Sequence, residues 1–150
     1  MNPFNLKSAL LAKHAQHVVL IHFPIALFLA GTGFDVAASW TKQTVKSATI
    51  KSAARINIFA AAVFVVPTIV SGFLAWQWAL EGEKLHGLLL LHLALACTAG
   101  IMICLVALLQ WRQQGKPGTS SNCCLALELL TASILALAAH VGGFLSGVNG

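Results

Sequence analysis

Histidine is the residue type whose positions in this chain most strongly suggest chemistry. The chain has six histidines, and His17 and His22 stand in the stretch HVVLIHFPIAL (residues 17–27) at the start of a long apolar run. A neutral imidazole can bind haem iron, zinc or copper. An ionisable side chain inside an apolar span is costly, and it is a functional candidate for that reason. What the histidines hold depends first on whether the chain lies in a membrane.

Composition and run length both indicate a membrane protein. Of the 150 residues, 58% are hydrophobic and 9% are charged, whereas soluble domains have about 25% charged residues. Four apolar runs without strand-like alternation reach the roughly 20 residues that a membrane-spanning helix needs. We therefore predict a single all-α domain, a four-helix transmembrane bundle running up, down, up, down. The predicted helices cover about residues 18–40, 56–78, 86–111 and 124–146.

The segments outside these runs are polar or amphipathic. Residues 1–16 are predicted to form a short helix along the membrane surface, with its apolar side chains directed inward. Polar links separate the runs at residues 41–55, 79–86 and 112–122. Tryptophan favours the headgroup layer, and all four tryptophans stand at predicted helix ends: Trp40, Trp76, Trp78 and Trp111.

The distribution of positive charge predicts the orientation. We name the membrane face that holds both chain termini side A and the opposite face side B. The links on side B carry six Lys and Arg residues, whereas side A carries three, together with Glu81 and Glu83. Lys and Arg favour the cytoplasm, so we expect a protein of the bacterial inner membrane with both termini in the periplasm. The net charge of +5 reflects this topology and anionic lipids, and it does not indicate a nucleic-acid partner.

All six histidines fall in the side-A half of the predicted bundle. At a rise of about 1.5 Å per residue, His22, His92 and His140 reach a similar depth from three different helices. They are the first candidates for a cofactor-binding role. His17 and His86 lie nearer the headgroups and are available if a second cofactor is bound.

Haem b suits this arrangement, because it needs one or two neutral imidazoles from facing helices and a slot for the macrocycle. Pro24 frees the carbonyl of Leu20, and a freed carbonyl can accept the Nδ1–H of a ligating histidine. Zinc or copper is the competing interpretation, although no carboxylate or HxxxH spacing accompanies the histidines. Small residues that leave room for a cofactor stand within three turns of the candidates: Ala26, Gly33, Ala96, Gly100, Ser133, Ala136, Gly142 and Gly143.

Other residues of chemical interest receive structural interpretations. The four cysteines form no CxxC or CxxCH motif, so we interpret them as small buried thiols. Asp35 and Glu128 stand near the side-B ends of the first and fourth runs. They could admit protons, but the interpretation that we favour is pairing with Lys42 or with lipid headgroups. We see no nucleophile–base pair and no phosphate-binding loop, and therefore expect a non-catalytic subunit.

These residues resemble the DUF2231 family of four-helix bacterial membrane proteins. The opening motif of that family is similar to HPxxVHFPIAL, which HVVLIHFPIAL matches at His17 and at residues 22–27, with Val18 in place of the proline. The segment LLLHLAL places His92 at the family's third-helix histidine, and HVGGFLSGVNG resembles its closing stretch from His140. Some members are joined to Rieske-type iron–sulphur domains, and the resemblance therefore implies a role in electron transfer.

The main functional hypothesis is a membrane-embedded, b-type cytochrome-like subunit. It would hold one haem b, or two, and pass electrons between a periplasmic carrier or redox complex and the quinone pool. A histidine left without iron could bind a quinone oxygen. The second hypothesis is a structural subunit of a larger membrane complex with no cofactor of its own. Transport is the third, and it is disfavoured because the polar groups cluster in one leaflet.

Overall fold

The computed structural model describes residues 15–41, 45–79, 82, 84–113 and 121–146. Four helices make up these ranges: α1 (Ala15–Trp40), α2 (Val45–Ala79), α3 (Gly87–Arg112) and α4 (Ser121–Leu145). Each helix contains a segment long and apolar enough to cross a membrane. The predicted all-α four-helix bundle is confirmed. A helix is favoured here because lipid offers no hydrogen-bond partner to the backbone, so every span must satisfy its own N–H and C=O groups.

The helix bounds differ from the prediction mainly at α2, which begins at Val45 instead of near Ile56. Most of the polar link between the first two runs is therefore helical and extends α2 beyond its apolar segment. The surface helix predicted for residues 1–16 lies outside the described residues, except that Ala15 and Gln16 belong to α1. At the start of α3, Gly87 has a φ of +56°, a left-handed conformation that residues with a Cβ rarely adopt.

The helices pair as two hairpins. Helix α1 packs mainly against α2 and α3 mainly against α4, while the contacts between the hairpins are less extensive. The helices approach each other closely where small residues lie between them, as is usual for helices in lipid. Gly31 of α1 lies against Ile58 and the backbone of Ala54, and Gly100 of α3 lies against Val65.

The two hairpins bury equivalent positions. Residues of α1 and α3 that lie 75 positions apart, as His17 and His92 do, match in burial, and so do residues of α2 and α4 that lie 70 apart. This pattern is what an approximate two-fold rotation about the bundle axis produces. The pairs in which both residues are buried are Pro24 with Ala99, Phe28 with Ile103, Gly31 with Val106, Thr32 with Ala107, Ala54 with Cys124, Ile58 with Glu128, Ala61 with Thr131, and Val65 with Leu135.

The most tightly packed part of the bundle lies from its middle towards side B. Phe28, Ile58, Ala61 and Val106 are completely buried there. Towards side A, inward-facing positions such as His17 and His92 are only partly buried. The helices therefore enclose a close-packed core at one end and are more loosely covered at the end that carries the histidines.

Candidate functional site

The structure brings His17 and His92 together in the side-A half of the bundle. They occupy equivalent positions in α1 and α3, both rings are partly buried, and they lie close enough to interact electrostatically. Each ring rests against a glycine of the following helix. A Cβ on Gly72 would lie 2.9 Å from His17 Cε1, and a Cβ on Gly142 would lie 2.8 Å from His92 Cε1. The two glycines therefore make room for the two imidazoles.

Hydrogen bonds define the tautomer of each ring. His92 Nδ1 lies 3.0 Å from the carbonyl oxygen of Ala138, and a carbonyl can only accept. His17 Nδ1 lies 3.0 Å from Ser71 Oγ, whose hydroxyl already donates to the carbonyl of Thr68 at 2.9 Å, so Ser71 Oγ accepts from the ring. In both neutral imidazoles Nδ1 therefore carries the proton and Nε2 presents its lone pair.

The other predicted ligands face away from this pair. His22 and His140 are exposed on the outside of the bundle. His22 Nδ1 donates to the carbonyl of Val18 in its own helix at 2.6 Å, and the His140 ring packs edge-on against Phe144. His86 is also exposed and precedes α3, beside a surface cavity of about 210 Å³. The structure thus joins His92 with His17 and does not bring it together with His22 and His140.

The freed carbonyl beside Pro24 has a partner other than histidine. Thr68 Oγ1 of α2 lies 2.8 Å from the carbonyl oxygen of Phe64 and 3.3 Å from that of Leu20, so its single O–H is shared between the two carbonyls. Gly33 has open space around it. The other small residues near His22 and His140, namely Ala26, Ser133 and Ala136, are exposed with those histidines.

A second polar cluster, which we call the acid–amide cluster, lies in the side-B half. Its members are Asp35 of α1, Gln110 of α3 and Glu128 of α4. Gln110 Nε2 donates to Asp35 Oδ2 and to Glu128 Oε1, each at 2.8 Å. Cys124 Sγ lies 3.7 Å from Glu128 Oε1. Glu128 is 1% exposed, so its side chain faces the bundle interior and not the lipid headgroups that we expected it to contact.

Burial leaves three oxygen atoms in this region without a hydrogen-bond partner: Thr32 Oγ1, Gln110 Oε1 and Glu128 Oε2. Asp35 also interacts electrostatically with Lys51 and Arg55 of α2. The expected partner Lys42 lies outside the described residues. The structure links Asp35 and Glu128 through Gln110, a residue that was not predicted to have a role. The pairing with Lys42 stays a prediction.

The structure also shows the exposure of the four cysteines and which potential metal ligands lie together. Cys97, Cys104 and Cys123 are exposed and only Cys124 is buried, so the prediction of buried thiols is correct for one of the four. Across the described ranges, no three His, Cys, Asp or Glu side chains form a group that could hold a metal ion.

Comparison with known proteins supports the resemblance seen in the motifs. A family model described as a predicted membrane protein, DUF2231, matches residues 13–150. No curated protein and no solved structure matches the chain. The family match extends over all four helices and includes both members of the histidine pair. The chain therefore belongs to the DUF2231 family of predicted membrane proteins.

Proposed function

We propose that this protein is a b-type cytochrome-like membrane subunit in which His17 and His92 bind one haem b. One observation carries the proposal: two neutral imidazoles at equivalent positions of α1 and α3 lie near each other, each with Nδ1 held by an acceptor of the following helix. An Nδ1–H bonded to a carbonyl or hydroxyl orients the ring and raises its basicity at Nε2, as is usual for ligating histidines.

The residues around the pair fit such a group. Gly72 and Gly142 let the two rings lie directly against α2 and α4, Ala96 stands one turn below His92, and this end of the bundle is more loosely covered than the core. When bound, haem would supply a one-electron redox centre. The chain would hold both imidazoles in the tautomer that iron requires and surround them with apolar side chains, which lower water access and tune the potential.

A single haem is the proposal that the geometry supports, because His17 and His92 are the inward-facing histidine pair among the described residues. The exposed rings of His22, His86 and His140 leave no second pair there for a second haem. Their role as ligands stays a prediction.

The proposed setting is the bacterial inner membrane, with side A and both termini in the periplasm. Lys51, Arg55 and Arg112 lie at the side-B ends of α2 and α3, as expected for the cytoplasmic face. The histidine pair would then lie in the periplasmic half of the bilayer. From there the subunit would exchange electrons with a periplasmic carrier or with other subunits of a membrane redox complex, and pass them to the quinone pool.

The test is the haem content of the purified protein and of four alanine variants. We expect the wild type to show a Soret band that shifts on reduction with dithionite, and a pyridine haemochrome of haem b. His17→Ala and His92→Ala should each lower the haem content at least about tenfold, since even the loss of an outer-shell partner costs 10- to 100-fold in affinity.

His22→Ala and His140→Ala are the matched controls, because both rings are exposed, and both variants should keep the wild-type spectrum. Haem that survives in His17→Ala and His92→Ala but is lost in the controls would show that we have chosen the wrong pair. A wild type without any Soret band, after expression with sufficient haem, would contradict the proposal and favour the structural subunit without a cofactor.

A further inference from the structure

The acid–amide cluster has an imbalance between hydrogen-bond donors and acceptors. Both N–H groups of Gln110 Nε2 are used, one by Asp35 Oδ2 and one by Glu128 Oε1. Gln110 Oε1 and Glu128 Oε2 are buried without a partner. With Glu128 ionised, both of these atoms are acceptors, and two acceptors cannot bond to each other.

One proton removes this imbalance. A proton on Glu128 Oε2 turns that oxygen into a donor, and Gln110 Oε1 is the unused acceptor on the side chain already bonded to Glu128. A neutral Glu128 has two acceptors within the cluster, the free Gln110 Oε1 and the carboxylate of Asp35, with which the Glu128 side chain also forms a hydrogen bond. A buried polar atom without a hydrogen-bond partner is unfavourable, so the proton stabilises the cluster.

The surrounding charges assign the proton to Glu128 and the negative charge to Asp35. Lys51 and Arg55 of α2 act electrostatically on Asp35. The groups that act on Glu128 are the uncharged Gln110 of α3, the Cys124 thiol of its own helix, and the carboxylate of Asp35. An isolated buried carboxylate is very costly, and a second negative charge beside Asp35 would add to that cost.

We infer that Glu128 is a proton-binding site, a neutral carboxylic acid whose O–H is donated within the acid–amide cluster while Asp35 remains charged. The site is separate from the histidine pair. Asp35 and Gln110 stand 18 residues beyond His17 and His92 along α1 and α3, which is about 27 Å at the rise of a helix. The inference does not depend on haem, because it concerns a proton that binds in the side-B half of the bundle.

Infrared spectroscopy of the purified protein at pH 7 tests the inference. The wild type should show the C=O stretching band of a protonated carboxylic acid, shifted to lower frequency in D₂O. The chain has only four Asp and Glu residues, so the band can be assigned by substitution. Glu128→Gln, which mimics the neutral acid, should lose the band, whereas Asp35→Asn and the Glu81→Gln/Glu83→Gln double variant should keep it.

A measurement on the wild type alone covers the case in which a variant does not fold. Labelling with carbon-13 glutamate should shift the band, because its carbonyl belongs to a glutamate. Absence of a carboxylic acid band in the wild type would overturn the inference. A band lost in Asp35→Asn but kept in Glu128→Gln would also overturn it, and so would a band that disappears when sodium replaces choline in the buffer, since that result would identify a cation site.

Discussion

Replacing Gly31 with alanine is expected to destabilise the bundle by about 1–3 kcal/mol, the usual cost of adding a methyl group to a close-packed core. A Cβ at this position would lie 2.6 Å from Ile58 Cγ1 and 3.0 Å from the carbonyl oxygen of Ala54. Ile58 is completely buried and the second contact is backbone, so neither neighbour can move away cheaply. The free energy of unfolding, measured by titrating the detergent-solubilised protein with SDS, gives the result.

Gly33→Ala is the matched control, two residues further along the same helix. Nothing lies within 4 Å of a Cβ at Gly33, so this variant keeps the contacts and gains helix propensity, up to about 1 kcal/mol. The two alanine variants should therefore change the free energy of unfolding in opposite directions. If Gly31→Ala is as stable as Gly33→Ala, α1 and α2 do not pack as closely as described.

Replacing Gln110 with leucine is expected to have the larger effect, a loss of about 2–6 kcal/mol, because two carboxyl groups each lose a hydrogen bond and each unsatisfied buried group costs about 1–3 kcal/mol. Leucine has a similar size but no N–H groups, so Asp35 Oδ2 and Glu128 Oε1 would both lose the bonds that Gln110 gives them at 2.8 Å. The same SDS titration measures the change.

A double variant separates lost hydrogen bonds from altered packing. Gln110→Leu/Glu128→Leu should recover part of the stability, because replacing both partners by apolar groups leaves fewer buried polar atoms unsatisfied. Gln77→Leu, at an exposed position of α2, should be close to wild type. Wild-type stability of Gln110→Leu would show that the acid–amide cluster does not link α1, α3 and α4.

The fold could be predicted from the sequence because the length of the apolar runs alone determines it. Four apolar runs of membrane-spanning length, joined by short links, leave few alternatives to an antiparallel bundle. Polarity was a poorer guide to helix ends. The polar residues from Val45 onward belong to α2, since a helix that leaves the bilayer can continue with polar side chains in water.

The half of the bundle that holds the histidines could also be predicted, but their relative depths and the direction of each ring could not. His17, which was predicted to lie nearer the headgroups, occupies the position in α1 that is equivalent to His92 in α3. A helix surrounded by lipid on one side and by other helices on the other is apolar all round, so no polar face marks its interior. His22 lies five residues beyond His17, the equivalent of His92, and it is exposed, whereas His92 is partly buried and faces the bundle. The small residues on the helix of His22 did not indicate which way its ring points, because Gly33, three turns along, also faces open space.

One signal in the sequence would have identified the correct partner. His17 is followed 18 residues later by Asp35, and His92 is followed 18 residues later by Gln110. This spacing reflects the internal repeat, in which α1 corresponds to α3. It is hard to see because the second helices of the hairpins correspond with a different offset, as Gly72 and Gly142 show. Recognising the repeat would have paired His17 with His92 and revealed Gln110.

Electron paramagnetic resonance of the oxidised, purified wild type tests the proposed histidine pair most directly, because the spectrum reports the axial ligands of haem iron. With His17 and His92 both bound, we predict the low-spin ferric signal of a haem with two imidazole ligands, at one haem per chain. High-spin ferric iron in the wild type, which indicates a missing axial ligand, would contradict the pairing of these two residues, and so would a protein without haem.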